Sequence, residues 1–245
     1  MSQIISPAAV CLVRLQELGD PQIAQHSQRF FKTGPGEYGE GDLFLGIRVP
    51  VLRRLVREFR TCDESDLAEL MASPWHEARL LGLLILVDQY QRGEEPEKRR
   101  CHVFYRRHLD RVNNWDLVDS SAPTIVGDYL RRRSRGYLHQ LARSRSLWRR
   151  RIAIIATLAM IREDDWDETL ALAEKLLQDP ADLLHKAVGW MLREVGKRDA
   201  AVLARFLERH AACMPRTMLR YAIESMPEPD RRYYRELPRK SPEET

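Results

Sequence analysis

The chain has 245 residues, 44% hydrophobic and 31% charged, a balance that fits a globular protein with a sizeable core and excludes a disordered or fibrous one. The longest apolar run, residues 80–87, is under half of the roughly 20 residues a membrane-spanning helix needs, and the first residues lack the basic, cleavable pattern of a secretory signal. A formal net charge of +4 says little, but residues 131–151 hold nine arginines and no Asp or Glu, so this stretch is either a solvated face or a polyanion site.

Residues 7–15 place apolar side chains at helical spacing, and Gly19-Asp20-Pro21 stops them. A second short helix is predicted over 23–32, ending in Phe30 and Phe31. Residues 34–42 hold four glycines and a proline; they read as a loop and match no phosphate-cradling pattern. Leu43-Phe44-Leu45-Gly46-Ile47 is a short apolar anchor that returns the loop to the core. Pro50 opens a helix to Phe59, Asp63 caps one to Met71, and Ser73-Pro74-Trp75 opens a longer one to Tyr90. Glu94-Glu95-Pro96 is expected to break that helix, and another is predicted over 98–109. Asn113-Asn114 caps the helix carrying Trp115 and Asp119, and Pro123 is expected to kink or end it. Further helices are predicted over 136–141, 147–161, 166–177, 183–195, 200–209 and 215–225, and no strand. From 227 to 245, four prolines among charged residues predict a poorly ordered tail behind a single domain over 1–226. Cys11, Cys62, Cys101 and Cys213 form no CxxC pair, which argues against a disulfide framework or zinc site and for a reducing cytoplasm.

The longer helices recur. Their first turns fall near Glu77, Asp119, Arg151, Lys186 and Arg216, spaced by 42, 32, 35 and 30 residues. Periods of this size predict an all-α fold, a right-handed α-α superhelix (solenoid) of HEAT-like helical repeats. One helix of each pair would line a concave surface, where Asp119, Arg151 and Lys186 occupy equivalent positions. Trp190 follows Lys186 by four residues, as Asp119 follows Trp115, so each pair shares a helix face.

Trp115 and Asp119 have two readings: a half-buried core indole beside a solvated carboxylate, or a site for something flat and cationic. The groove favours the second. Arginine holds phosphates, and indole faces attract cations and stack on sugars or bases. A carboxylate beside DNA is repelled by phosphates, so it needs a task, and stabilising a developing positive charge is one. Asp116 does not complete a carboxylate pair, because residues three apart on a helix diverge by about 60°.

The segments Asn114-Trp115-Asp116-Leu117-Val118-Asp119, Trp148-Arg149-Arg150-Arg151 and Lys186-Ala187-Val188-Gly189-Trp190-Met191-Leu192-Arg193-Glu194, with Phe44-Leu45-Gly46-Ile47-Arg48-Val49-Pro50 nearer the start, resemble the AlkD family of DNA alkylation repair glycosylases over nearly the whole chain before the tail. The resemblance implies a superhelix that takes duplex DNA in its concave face and hydrolyses the N-glycosidic bond of cationic N3- and N7-alkylated purines. By position it implies Asp119 as the catalytic carboxylate, Trp115 and Trp190 as indoles flanking the lesion's deoxyribose, and Arg151 as a DNA contact beside the site. Arg193, Lys186 and Arg150 extend the expected DNA-binding set. Phe30 stands where a tyrosine can occur in the family, so a hydroxyl contact there is lost. A cytoplasmic monomer acting on alkylated double-stranded DNA, without metal, cofactor or membrane, is expected. The alternatives are a non-catalytic repeat protein that binds distorted or damaged DNA, and a helical scaffold whose basic run serves solubility or an acidic partner.

Overall fold

Many helices in this chain begin where the sequence supplies a capping oxygen or a proline. The computed structural model describes residues 6–238. Its first seven helices are α1 (Pro7–Glu17), α2 (Pro21–Phe30), α3 (Val49–Glu58), α4 (Glu64–Ala72), α5 (His76–Arg92), α6 (Glu95–Arg107) and α7 (Trp115–Ala122). Ser6, Asp20, Asp63 and Asn114 cap α1, α2, α4 and α7 by accepting bonds from first-turn N–H groups, each worth about 1 kcal/mol. Prolines sit in the first turns of α1, α2, α3 and α6, where a missing N–H costs nothing. The expected break falls between α5 and α6, and Pro96 lies in the first turn of α6, which begins at Glu95, ahead of the predicted start at 98.

Eight helices follow: α8 (Gly136–Ala142), α9 (Leu147–Ala156), α10 (Leu158–Ile161), α11 (Asp167–Lys175), α12 (Asp182–Arg198), α13 (Ala200–His210), α14 (Arg216–Ala222) and α15 (Glu228–Glu236). The helix predicted over 147–161 is divided at Thr157, whose hydroxyl donates to the Ile154 carbonyl (2.7 Å) and competes with the helical ladder. The segment from 227, expected as a poorly ordered tail, carries α15, because Pro227 and Pro229 lie at the cap and first turn, where they initiate a helix; residues 239–245 lie outside the described residues. The protein is all-α, and among the described residues the sole β-type pairing is an isolated bridge between Leu43 and Trp75. No helix there is long and apolar enough to cross a membrane.

The chain divides into two compact units, one ending at Ile125 and the other beginning at Val126, where the sequence predicts one domain through 226. Each is built round a 17-residue helix. In the first unit α5 packs against α3, α4, α6 and α7, and the apolar run 80–87 is its core. In the second unit α12 packs against α9, α11, α13 and α14. The approach of α14 is set by Gly189, where a Cβ would stand 2.5 Å from both the Met218 carbonyl oxygen and Tyr221 Cβ. Cys11, Cys62 and Cys101 are buried free thiols, and burial pushes them up to about 12, 11 and 11, so they are poor nucleophiles.

The glycine-rich loop between α2 and α3 is bound to α5. The buried Glu77 carboxylate accepts three backbone N–H groups, from Leu45 (2.9 Å), Gly46 (2.8 Å) and Ile47 (3.1 Å). The His76 N–H donates to the Leu43 carbonyl (2.7 Å). Phe44 and Ile47 are buried, as the apolar anchor predicts. Gly46 has φ +85°, and a Cβ there would meet the Asp20 carbonyl oxygen at 2.1 Å. Gly46→Ala is expected to lose roughly 3 kcal/mol, from the left-handed backbone and the overlap together. Its urea midpoint should fall with an unchanged slope; an unshifted midpoint would show that the loop yields freely.

Candidate functional site

The start of α7 is held from beneath by buried charge. Asn114 is fully buried; its side-chain oxygen accepts from the Trp115 N–H (2.9 Å) and its amide donates to Asp42 (3.3 Å). Asp116, in the first turn, accepts from the Leu117 N–H (2.8 Å) with one oxygen and meets His76 Nε2 (2.8 Å) with the other. His76 Nδ1 lies 2.8 Å from Asp42. Arg79 donates to the second Asp42 oxygen and to the Ser73 and Pro74 carbonyls (3.1 and 3.0 Å). Burial works against a charged His76, but the hydrogen bonds and charges of Asp116 and Asp42 outweigh it and push the imidazole up to about 9. At neutral pH it is an imidazolium that donates to both carboxylates. Burial likewise opposes ionised Asp42, but His76 and Arg79 hold it below the ordinary carboxylate range.

Aromatic rings join the same network to Trp115. Phe44 stacks on His76 (4.4 Å between centroids, 21°), Phe31 stacks on Phe44 (4.8 Å, 23°), and Trp115 stacks on Phe31 (5.2 Å, 15°). Phe30 meets Trp115 edge-on (5.9 Å) and is 57% exposed. Trp115 and Asp119 are half-buried and one turn apart on α7. Four residues after Asp119, Pro123 has no N–H to give its carbonyl, and the chain passes into a π-type segment over Pro123–Asp128. Asp116 is engaged with His76, so α7 offers no paired carboxylates of the kind glycoside hydrolysis uses.

The other predicted residues lie in the second unit. On α12, Lys186 pairs with Asp182 (2.8 Å), and the half-buried Trp190 donates its indole N–H to Glu194 (3.0 Å). Arg193 pairs with Glu224 and lies 3.6 Å from Glu194. On α9, Arg151 is only 5% exposed and donates to the Leu183 carbonyl (2.6 Å) beside the start of α12. Arg150 binds Asp179 and the Ser144 and Arg145 carbonyls (3.0 and 2.8 Å), which makes it a strut within the protein. Three arginines of the basic run are paired with acids in space: Arg131 with Asp128 and Glu163, Arg135 with Asp165, and Arg150 with Asp179.

His76, Asp42, Arg79, Phe31 and Phe44 are missing from the sequence-derived set. A signal for the first and third exists: His76, Glu77 and Arg79 fall in the first turn of a helix that continues as an apolar run, and charges at such a place need partners. Among the described residues no group of three or more His, Cys, Asp or Glu is arranged to hold a metal ion.

Fold and site together define an all-helical protein of packed helices, with an indole and a carboxylate one turn apart on a helix pinned by buried ion pairs. The model of the DNA alkylation repair enzyme family matches residues 12–226, and the chain belongs to that family. A solved structure, described as a predicted DNA alkylation repair enzyme from Enterococcus faecalis, shares the fold with a TM-score of 0.65. The match covers 86% of this chain and 97% of that one at 16% identity. No curated protein matches the sequence.

The His76 cluster makes stability depend on pH in a definite direction. Its folded pKa lies above the unfolded value of 6.5. The stabilisation is therefore complete below about pH 6.5 and lost as pH rises toward about 9, on the order of 3 kcal/mol in all. Urea unfolding of the wild type should weaken across that window, and His76→Gln should show a flatter profile there. Parallel profiles would place the imidazole's charge outside the folding equilibrium.

Proposed function

We propose that this protein is a DNA glycosylase that hydrolyses the N-glycosidic bond of cationic N3- and N7-alkylated purines in duplex DNA. The observation that carries the reading is the placement of Trp115 and Asp119 on one face of α7, anchored by Asn114 and Asp116, in a member of a DNA alkylation repair family. An alkylated purine already carries positive charge, so it leaves without an acid to protonate it. What remains is to stabilise the oxocarbenium-like sugar and to direct water at its anomeric carbon. An ionised Asp119 suits both tasks. Trp115 and Trp190 are assigned to the sugar cation, which an indole's π electrons would favour. Lys186, Arg151 and Arg193 are assigned to DNA phosphates, with the protein working as a monomer in the compartment that holds DNA. Arg151 also serves the fold through Leu183, and the bonds of Arg150 leave it chiefly structural.

Asp119→Asn is expected to reduce single-turnover release of N7-methylguanine by about 10²–10³, roughly 3–4 kcal/mol of transition-state stabilisation. Duplex affinity should hold or tighten, since a charge repelled by phosphate is removed. Equal rates would move the catalytic role elsewhere, and no release by the wild type on several cationic lesions would favour a binding-only protein.

Lys186→Ala tests the DNA surface with little cost to the fold, because its partner Asp182 is largely exposed. The slope of log affinity against log salt should become shallower by about 0.9, the loss of one phosphate contact. An unchanged slope would remove Lys186 from the interface.

A further inference from the structure

We infer that His76 is a positioning residue: bridging Asp42 and Asp116, it fixes the first turn of α7 and, through the Phe44–Phe31 stack, the indole of Trp115. Its effect on the reaction rests on the function proposed above; its effect on Trp115 does not.

Four elements meet at this imidazole. The loop brings Asp42 and Phe44, the C-terminal end of α2 brings Phe31, and α7 brings Asp116. On its own helix, Arg79 is turned to Asp42 and Glu77 to the loop N–H groups. Arg111, nearby in charge, is spent on the Met71, Ala72 and Ser73 carbonyls. The imidazolium is thus the charge that Asp116 faces.

Its two partners are unequal. Asp42 also accepts from Arg79 and Asn114, and its side chain is 3% exposed. Asp116 accepts from the Leu117 N–H with the oxygen that does not meet His76, and its side chain is 13% exposed. A neutral imidazole keeps one N–H and turns a lone pair to the other carboxylate. The better-held Asp42 retains the bond, and Asp116 swings toward water. The break therefore falls on α7, next to Trp115. At the same time the ring stacked on Phe44 loses its charge and its attraction to that π face. Both changes loosen the indole. Asp119, one turn further along the same helix, follows the tilt.

The experiment is ¹⁹F NMR of the full-length protein carrying 5-fluorotryptophan, with the Trp115 resonance assigned by its loss in Trp115→Phe. In the wild type this resonance should move with a midpoint near 9, while Trp148, Trp166 and Trp190 in the other unit stay still and exclude global unfolding. In His76→Gln it should be flat and displaced at every pH. Asp116→Asn, which keeps the volume, should lower the midpoint. A Trp115 resonance that does not titrate, or that titrates equally in His76→Gln or with an unmoved midpoint in Asp116→Asn, overturns the inference. At pH 7, His76→Gln should also slow single-turnover excision by roughly 10- to 100-fold, with duplex affinity within about twofold. Equal excision rates would overturn the rate effect. Were the wild type inactive on every cationic lesion, the proposed function would fail, while the resonance titration would still decide the role of His76.

Discussion

A single buried imidazole shared by two carboxylates ties together parts of the chain that are 34 and 40 residues apart. It is a costly device. Removing several charges from water costs more than a hydrophobic replacement of the same volume would, and such clusters are poor sources of stability. What they do supply is direction. An apolar contact tolerates sliding, whereas a hydrogen bond to each oxygen of Asp42 and to Asp116 defines where α7 starts and how it is rotated. Helix α7 has eight residues, too few to hold its own orientation, so the restraint must come from outside it.

The loop that follows α2 is part of the same construction. Its backbone N–H groups at Leu45, Gly46 and Ile47 have no helix or sheet partner, and Glu77 satisfies them. One side of α5's first turn thus holds the loop backbone, while His76 and Arg79 hold the loop's Asp42. The loop reads as a connection in composition, yet it works as a wall that carries Phe44 beneath Phe31 and Trp115.

Most helices were legible because their signals are local. Periodicity marks the bodies, and Asp63 and Asn114 mark starts through oxygens that cap their own first turns. Errors arose where the same residue type has two local uses. Pro96 lies inside the first turn of α6, ahead of the expected helix start, Pro227 and Pro229 open a helix where a poorly ordered tail is expected, and Thr157 interrupts a helix by bonding its own turn. For the candidate site, spacing places Trp115 and Asp119 on one helix face, as the structure has them. The support under them is not legible in this way, because Asp42 and His76 are matched only by folding. The arginine run is also only partly legible in sequence: the acids that pair with Arg131, Arg135 and Arg150, at Asp128, Glu163, Asp165 and Asp179, all lie outside the counted stretch.

The charge arrangement also bears on how α7 can carry two carboxylates one turn apart. Asp116 and Asp119 repel each other, and phosphates would add to that repulsion. His76 offsets the first charge at 2.8 Å, far closer than any screening by solvent would act. Asp116 also lies at the N-terminal end of the helix, where the backbone dipole favours an anion. The proposed function gives this arrangement a use: with the charge of Asp116 absorbed by His76 in the core, a DNA strand would meet less repulsion from α7, and Asp119 is the carboxylate assigned to the cationic sugar.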